Sequence, residues 1–237
     1  PWLEWGQRQA VLFDLGARRF YNLGVVLYPQ DFIYLTGLLV ISAMSLFLFT
    51  AVAGRLWCGY ACPQTVYSEI FLWVERKIEG DRTARMKLDS ADMSLEKLFK
   101  KWYKHIIWIG IAMWTGFTFV GYFTPIRALG LEFFTGRMSS WEVFWVFFYA
   151  FATYGNAGFM REQVCKYMCP YARFQSAMFD HDTLIVTYDE QRGEPRGARS
   201  KKADPKALGL GACVDCSLCV QVCPTGIDIR KGLQYEC

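Results

Sequence analysis

From Phe32 to Ala53 the chain runs without a single charged side chain. A helix rises about 1.5 Å per residue, so roughly 20 apolar residues suffice to cross a hydrocarbon core about 30 Å thick. Ile106 to Phe123 repeats the pattern, and so does Trp141 to Met160, with one acid, Glu142, near its start. Core helices of a soluble domain would carry polar residues about once per turn, and these stretches lack them. Composition agrees: 53% of residues are hydrophobic and 17% aromatic, more than a soluble domain of ordinary make-up carries. The expected fold class is an α-helical integral membrane protein with three visible spans, about 32–53, 106–123 and 141–160.

Charge sets the expected orientation. Segments 54–105 and 161–237 together hold 21 Lys and Arg, against 5 in segments 1–31 and 124–140. By the positive-inside rule the basic side is cytoplasmic. Residues 1–31, rich in aromatics, then form a periplasmic or interfacial segment, and the transmembrane domain extends over 32–160. No signal sequence is visible, and if the native N-terminus is cytoplasmic a further span is expected before Pro1. Val66, Ile70, Val74 and Ile78 recur at helical spacing, which predicts an amphipathic helix over 66–79 on the inner membrane surface, ended by Gly80. Lys97, Lys100, Lys101 and Lys104 are expected to flank the second span and touch anionic lipid. Residues 161–211 read as a cytoplasmic connector, with a short strand at Thr183–Tyr188 and an irregular loop over 189–211.

The strongest chemical signal is Cys213-x-x-Cys216-x-x-Cys219-x-x-x-Cys223-Pro224. Four thiols at this spacing, closed by Pro, match the bacterial ferredoxin pattern for a 4Fe–4S cluster. Three cysteines serve one cluster, and the fourth crosses to a second cluster in two-cluster ferredoxins. Cys237 reads as the first ligand of a second run that continues past the given sequence. Two 4Fe–4S clusters are therefore expected, the second completed by residues absent from this chain, with 212–237 an incomplete ferredoxin-like domain. A zinc knot would use two well-separated cysteine pairs or recruit His, and neither His105 nor His181 is close. The positive-inside count places this domain in the cytoplasm, where thiols stay reduced.

A second motif occurs twice. Cys58-Gly-Tyr-Ala-Cys62-Pro63 follows the first span, and Cys165-Lys-Tyr-Met-Cys169-Pro170 follows the third. Cysteines at i and i+4 share one helix face. Pro disfavours helix before it and opens a new helix after it. Each pair is thus expected at a break between two helices, with four thiols meeting at the membrane edge. Thiolates select Cu(I), zinc or iron–sulfur centres, and a reversible dithiol is also open. Helix N-termini after Pro63 and Pro170, with Arg55, Arg161 and Lys166 nearby, are expected to lower the thiol pKa. Met160 and Met168 offer further soft ligands, although methionine is more often core filling.

His105 reads as an interfacial anchor, and His181, between Asp180 and Asp182, as a helix cap or turn. No phosphate-cradling Gly loop, Ser–His–Asp set or paired-carboxylate site stands out. Topology accounts for the basic residues, so no nucleic-acid partner is expected.

The strings Ala53-Gly-Arg-Leu-Trp-Cys-Gly-Tyr-Ala-Cys-Pro-Gln-Thr-Val66, Glu75-Arg-Lys-Ile-Glu-Gly-Asp-Arg82 and Cys213-Val-Asp-Cys-Ser-Leu-Cys-Val-Gln-Val-Cys-Pro-Thr-Gly-Ile-Asp228 carry a resemblance over essentially the whole chain. They resemble the cytochrome c oxidase accessory protein family, membrane polyferredoxins that serve the cbb-type haem–copper oxidase. The resemblance implies a cupric reductase, an oxidoreductase turning Cu(II) into Cu(I) for the oxidase's copper centre. It implies that Cys213, Cys216, Cys219, Cys223 and Cys237 ligate two clusters, and that Cys58, Cys62, Cys165 and Cys169 handle copper or relay its electron. Members of that family also carry an earlier span, the rest of the second cluster run, a further span and a periplasmic β-sandwich. The expected location is the bacterial inner membrane, multi-pass, with clusters and both Cys-x-x-x-Cys-Pro motifs on the cytoplasmic side. Expected partners are membrane lipid, copper-delivery proteins or oxidase assembly factors, and a cytoplasmic electron donor, with a homo-oligomer allowed. Two alternatives stay open: a quinol-linked electron-transfer subunit of periplasmic nitrate or nitrous oxide reduction, and a non-catalytic copper carrier or scaffold.

Overall fold

The computed structural model describes residues 1–6, 8–200, 203–204, 207–223 and 227–232. Two compact units divide the chain. One holds residues 1–44 and 67–159, the other 45–66 and 160–237.

Helix α1, Phe32–Ala53, forms over the uncharged stretch. Among the described residues it is the helix long and apolar enough to cross a bilayer, and none of its most apolar window is buried within the protein. The other two expected spans are also helices, but with different limits. Helix α2 is the short turn Leu56–Tyr60, α3 is Pro63–Glu79, and α4 is Arg82–Ser90. Helix α5 covers Leu95–Val120, starting eleven residues before the apolar run, where Ser94 caps its N-terminus by accepting from the Lys97 amide at 3.2 Å. Helix α6 is Ile126–Thr135, inside what the sequence reads as a connecting segment, and α7 is Ser140–Gly158.

In the first unit α5 and α7 pack antiparallel. Gly116 is buried, and a Cβ there would strike the Val146 carbonyl oxygen. Small residues let two helix backbones approach this closely. At the other end of the pair Trp108 is buried with Phe71, Val74 and Ala157, and its indole donates to the Phe71 carbonyl at 3.3 Å.

Residues 1–31 form short strands, which the aromatic-rich composition concealed. Strand β1, Glu4–Trp5, pairs antiparallel with β2, Arg8–Gln9. Strands β3, Val11–Asp14, β4, Arg19–Asn22, and β5, Val25–Leu27, make an antiparallel meander. Gln9 ties this segment to the end of α5: its amide donates to Gly121 O at 2.6 Å and accepts from Ile126 N at 3.0 Å. Trp2 stacks on Trp114 with centroids 4.6 Å apart.

The lysines of α5, expected at lipid headgroups, are engaged by the protein itself. Lys104 is buried, 2.9 Å from Glu79 and 3.6 Å from Glu75. Lys101 reaches Glu79 at 3.2 Å and Asp89 at 2.8 Å. Lys100 pairs with Glu96, Lys97 donates to two α4-end carbonyls, and Arg85 holds Glu75 at 2.8 Å. The amphipathic helix α3 therefore turns Glu75 and Glu79 toward α5 as well as its apolar side. Burial alone would raise the Glu79 carboxyl, but hydrogen bonds and charge from Lys104 and Lys101 hold it below its usual range.

In the second unit α1 ends in the left-handed Gly54 (φ +56°). After it come α2, the start of α3, the single turn α8, Arg161–Gln163, a π-turn over Val164–Met168, and α9, Pro170–Ser176. Thr183–Tyr188 is not a strand. It has no ladder partner and instead clasps the end of α1: Thr183 Oγ1 donates to Ala51 O at 2.9 Å, and the Leu184 amide reaches Val52 O at 3.5 Å. Its β-branched residues suit extended backbone, but an unpaired helix end supplies the partner here.

Glu79→Ala strands the buried Lys104 ammonium on its longer contact to Glu75. It is expected to cost about 3 kcal/mol, read as a lower unfolding midpoint of the full-length protein in detergent. Glu79→Leu combined with Lys104→Met should recover most of that loss. Because the Glu79 carboxyl is depressed, its contribution is present above the unfolded carboxylate pKa, about 4.3, and is lost as pH falls through the lower folded value.

Candidate metal centre

Both Cys-x-x-x-Cys-Pro motifs break helices where the sequence predicts. Cys58 lies in α2, and Pro63 opens α3 directly after Cys62. Cys165 lies in the π-turn, and Cys169 is the extended residue (φ −85°, ψ 108°) before Pro170 opens α9. The π-turn is the local consequence of a proline that cannot continue the hydrogen-bond ladder. All four thiols belong to one compact unit and are half-buried.

They sense one another. Burial pushes the Cys165 thiol up to about 11, and the nearby Cys62, Cys169 and Cys58 push the same way, against Arg55. Burial likewise raises Cys58, with Arg55 opposing and Cys62 and Cys169 adding to the rise. The expected lowering by helix N-termini is thus reversed at Cys58 and Cys165. Desolvation disfavours the thiolate, and four potential anions in one place disfavour it further. Among the described residues no three His, Cys, Asp or Glu side chains stand together as a finished metal cage. No disulfide links the described cysteines to one another.

The surrounding polar groups are well fixed. Thr65 Oγ1 donates to Cys58 O at 2.5 Å. Arg55 donates to Ala172 O at 3.3 Å and lies over the Phe179 ring at 5.7 Å. Thr50 and Tyr171 share a hydroxyl hydrogen bond. Gln175 on α9 is 0% exposed. Its amide donates to Gly54 O at 3.0 Å, and its oxygen accepts from Cys58 Sγ at 3.5 Å. Sequence reasoning passed over Gln175. The signal was a neutral polar residue three positions after the small Ala172, on the face that packs inward.

The ferredoxin run forms a curled loop. Asp215 and Ser217 adopt left-handed conformations (φ +53° and +55°) between successive cysteines. Ser217 leads into the short helix Leu218–Val222, and Cys223 follows it extended. Arg230 ties the loop down through Asp215 at 2.5 Å and Asp228 at 2.7 Å. The Cys213 amide meets Gly193 O at 3.4 Å, and Arg199 donates to Gly211 O at 2.5 Å. Four thiols on a tightly turned loop fit the donor chemistry of a 4Fe–4S cluster. Cys237 lies outside the described residues.

His105 and His181 have other partners. His105 Nδ1 meets Tyr154 Oη at 3.0 Å inside an aromatic cluster with Trp108 and Phe159. His181 is exposed beside Asp182.

Residues 160–237 match the family described as 4Fe-4S dicluster domain, and residues 35–80 match the 4Fe-4S binding domain family. The chain is 47% identical over 242 residues to the nitrogen fixation protein FixG of Rhizobium meliloti (strain 1021), covering 100% of this chain and 46% of that protein. It is 45% identical over 244 residues to protein RdxA of Cereibacter sphaeroides and 44% identical over 242 residues to protein RdxB of the same organism, covering 100% of this chain and 50% of each. The chain thus spans about half the length of the curated relatives it matches. No solved structure matches it.

The raised thiols make a direct prediction for metal-free protein. Below pH 9 Cys165 should alkylate with iodoacetamide on the order of a hundredfold more slowly than an unperturbed cysteine, because only the thiolate reacts. Its rate should still be climbing at pH 10. Peptide mass spectrometry of a pH series reads this, and a plateau near pH 9 would contradict it.

Proposed function

We propose the following function for this chain, which belongs to the cytochrome c oxidase accessory protein family: it is a membrane-bound iron–sulfur electron-transfer protein that reduces Cu(II) to Cu(I) for the copper centre of a cbb-type cytochrome c oxidase. The observation that supports this reading is that Cys58, Cys62, Cys165 and Cys169 lie half-buried in a single compact unit, with Cys58 and Cys165 each raised by neighbouring cysteines as well as by burial. That donor set lies in the same unit as the ferredoxin loop.

In this reading α1, α5 and α7 span the inner membrane, and the basic connections face the cytoplasm. Cys213, Cys216, Cys219 and Cys223, with Cys237, hold the iron–sulfur clusters. When bound, those clusters supply reducing equivalents one electron at a time. The four remaining cysteines handle the substrate ion. Soft thiolates favour the lower oxidation state of copper, so holding the ion there makes its gain of one electron more favourable and retains the Cu(I) formed. Each thiol gives up its proton as it ligates, so uptake is expected to release protons. Arg55 lies close enough to offset part of the negative charge that then accumulates. Copper-delivery proteins or oxidase assembly factors supply or receive the ion, and a cytoplasmic donor supplies the electron.

A second reading has one specific observation behind it. The 4Fe-4S binding domain match covers residues 35–80, where Cys58 and Cys62 are the cysteines present. On that reading the Cys-x-x-x-Cys-Pro thiols themselves ligate iron.

Replacing Cys58, Cys62, Cys165 and Cys169 with serine in the full-length protein separates the two. The copper reading expects cupric reduction to fall to background while iron content and the reduced-cluster electron paramagnetic resonance signal persist. Loss of a whole cluster's iron in that variant favours the second reading, and unchanged copper reduction would sink the first.

A further inference from the structure

We propose that the outward face of the first three turns of α5, Leu95–His105, is a phospholipid contact surface that lies in the inner boundary layer of the bilayer. This rests on the reading above in which α5 spans the membrane.

The two sides of these turns are chemically opposite. Leu95, Leu98, Phe99, Trp102, Tyr103 and Ile106 recur at spacings of three and four residues, which puts them on one side of the helix. Lys97, Lys100, Lys101 and Lys104 start the same spacing two residues later, about 200° around the helix. The lysine side is engaged within the protein. Lys104 and Lys101 meet Glu79, and Lys101 also meets Asp89. Lys97 donates to the Asp89 and Ala91 carbonyls, and Lys100 pairs with Glu96. Helices α3 and α4 thus take the charged side and leave the apolar one outward. Leu95 is 86% exposed, Phe99 71% and Trp102 65%. The six apolar side chains line an open groove of about 570 Å³. Phe99 and Tyr103 stack one turn apart, with ring centroids separated by 6.2 Å.

Soluble surfaces rarely leave a contiguous apolar patch of this kind in water. Continuity indicates what covers it. The same side of α5 runs on through Ile106 and Ile109, both exposed, into the apolar run read as a span. Helix α5 has 26 residues, a rise of about 39 Å. That exceeds a hydrocarbon core of about 30 Å and approaches the roughly 40 Å of core plus interfacial layers. A bilayer that reaches Leu95 therefore covers the whole stripe without a break. Trp and Tyr favour the depth at which a ring meets acyl chains and its polar tip meets headgroups, and Trp102 and Tyr103 sit in the middle of the stripe. A protein partner fits less well, because such interfaces carry a polar rim, and the flanking charges Glu96 and Lys100 already pair with each other. Charge at membrane depth needs a partner and turns to the protein interior, which is how the lysines of these turns are arranged. The lipid is held by its acyl chains, with the lysines facing away from it.

The test uses the full-length protein in phosphatidylcholine vesicles. p-Benzoylphenylalanine in place of Phe99, irradiated and read by mass spectrometry, is expected to give phospholipid adducts, as it should in place of Ile109. The emission of Trp102, taken as the difference between wild type and Trp102→Phe, is expected to fall about twofold when the acyl chains are brominated and to resist iodide in the water, as for a ring at the membrane interface. This second measurement carries the test if the benzophenone protein fails to fold. Lipid adducts at Ile109 but none at Phe99, or quenching of Trp102 by iodide and not by brominated chains, overturn the proposal and leave the span intact. A Phe99 crosslink to a second copy or to another protein overturns it in favour of a protein interface. If the Ile109 position yields no lipid adduct either, the spanning reading of α5 fails and this inference falls with it.

Discussion

The carbonyl of Gly54 is the point on which the second unit turns. A long apolar helix must stop there, and its last carbonyls need donors. Thr183 and Leu184 serve Ala51 and Val52, and Gln175 serves Gly54. Satisfying those groups brings α9, and with it the second Cys-x-x-x-Cys-Pro motif, against the residues that carry the first. The left-handed conformation at Gly54 then directs the chain into α2 and toward Cys58. A requirement of helix termination has become the means by which two distant sequence repeats come into one compact unit.

The first unit solves a different problem. Helix α5 is apolar only over its later part, and its first three turns carry four lysines. The charges that α3 and α4 bring are placed to meet them, and Lys104 is buried between Glu75 and Glu79. A buried pair is weak evidence for stability, but removal of one partner is costly, so such contacts fix which face meets which. Gly116 sets how near α7 can come. Specific pairing and a missing side chain define this packing together with two buried apolar clusters.

Several of these features were legible in the residues. The uncharged run 32–53 forms a helix to the residue, and the spacing of Val66, Ile70, Val74 and Ile78 marks α3. Proline after each cysteine pair marks both helix breaks. The ferredoxin spacing and the family resemblance agree with the 4Fe-4S family matches and the similarity to FixG, RdxA and RdxB. What stayed hidden was tertiary. The strands of residues 4–27 are two to four residues long, too short for alternation to stand out, and depend on Gln9 reaching α5. Thr183–Tyr188 has strand composition but meets a helix end instead of a ladder. The thiol pKa shifts depend on burial and on three neighbours that no linear spacing places together, so an argument from the proline-led helix starts alone has the wrong sign at Cys58 and Cys165.

That reversal has a bearing on the chemical durability of these two thiols. Oxidants and electrophiles attack thiolate sulfur, and sulfenic acid formation follows thiolate character. With Cys58 and Cys165 kept in the protonated form, the resting protein offers little nucleophilic sulfur there at neutral pH. Peroxide or a stray disulfide meets little reactive sulfur at those two positions. Cys58 and Cys165 are sheltered by their own acid–base state.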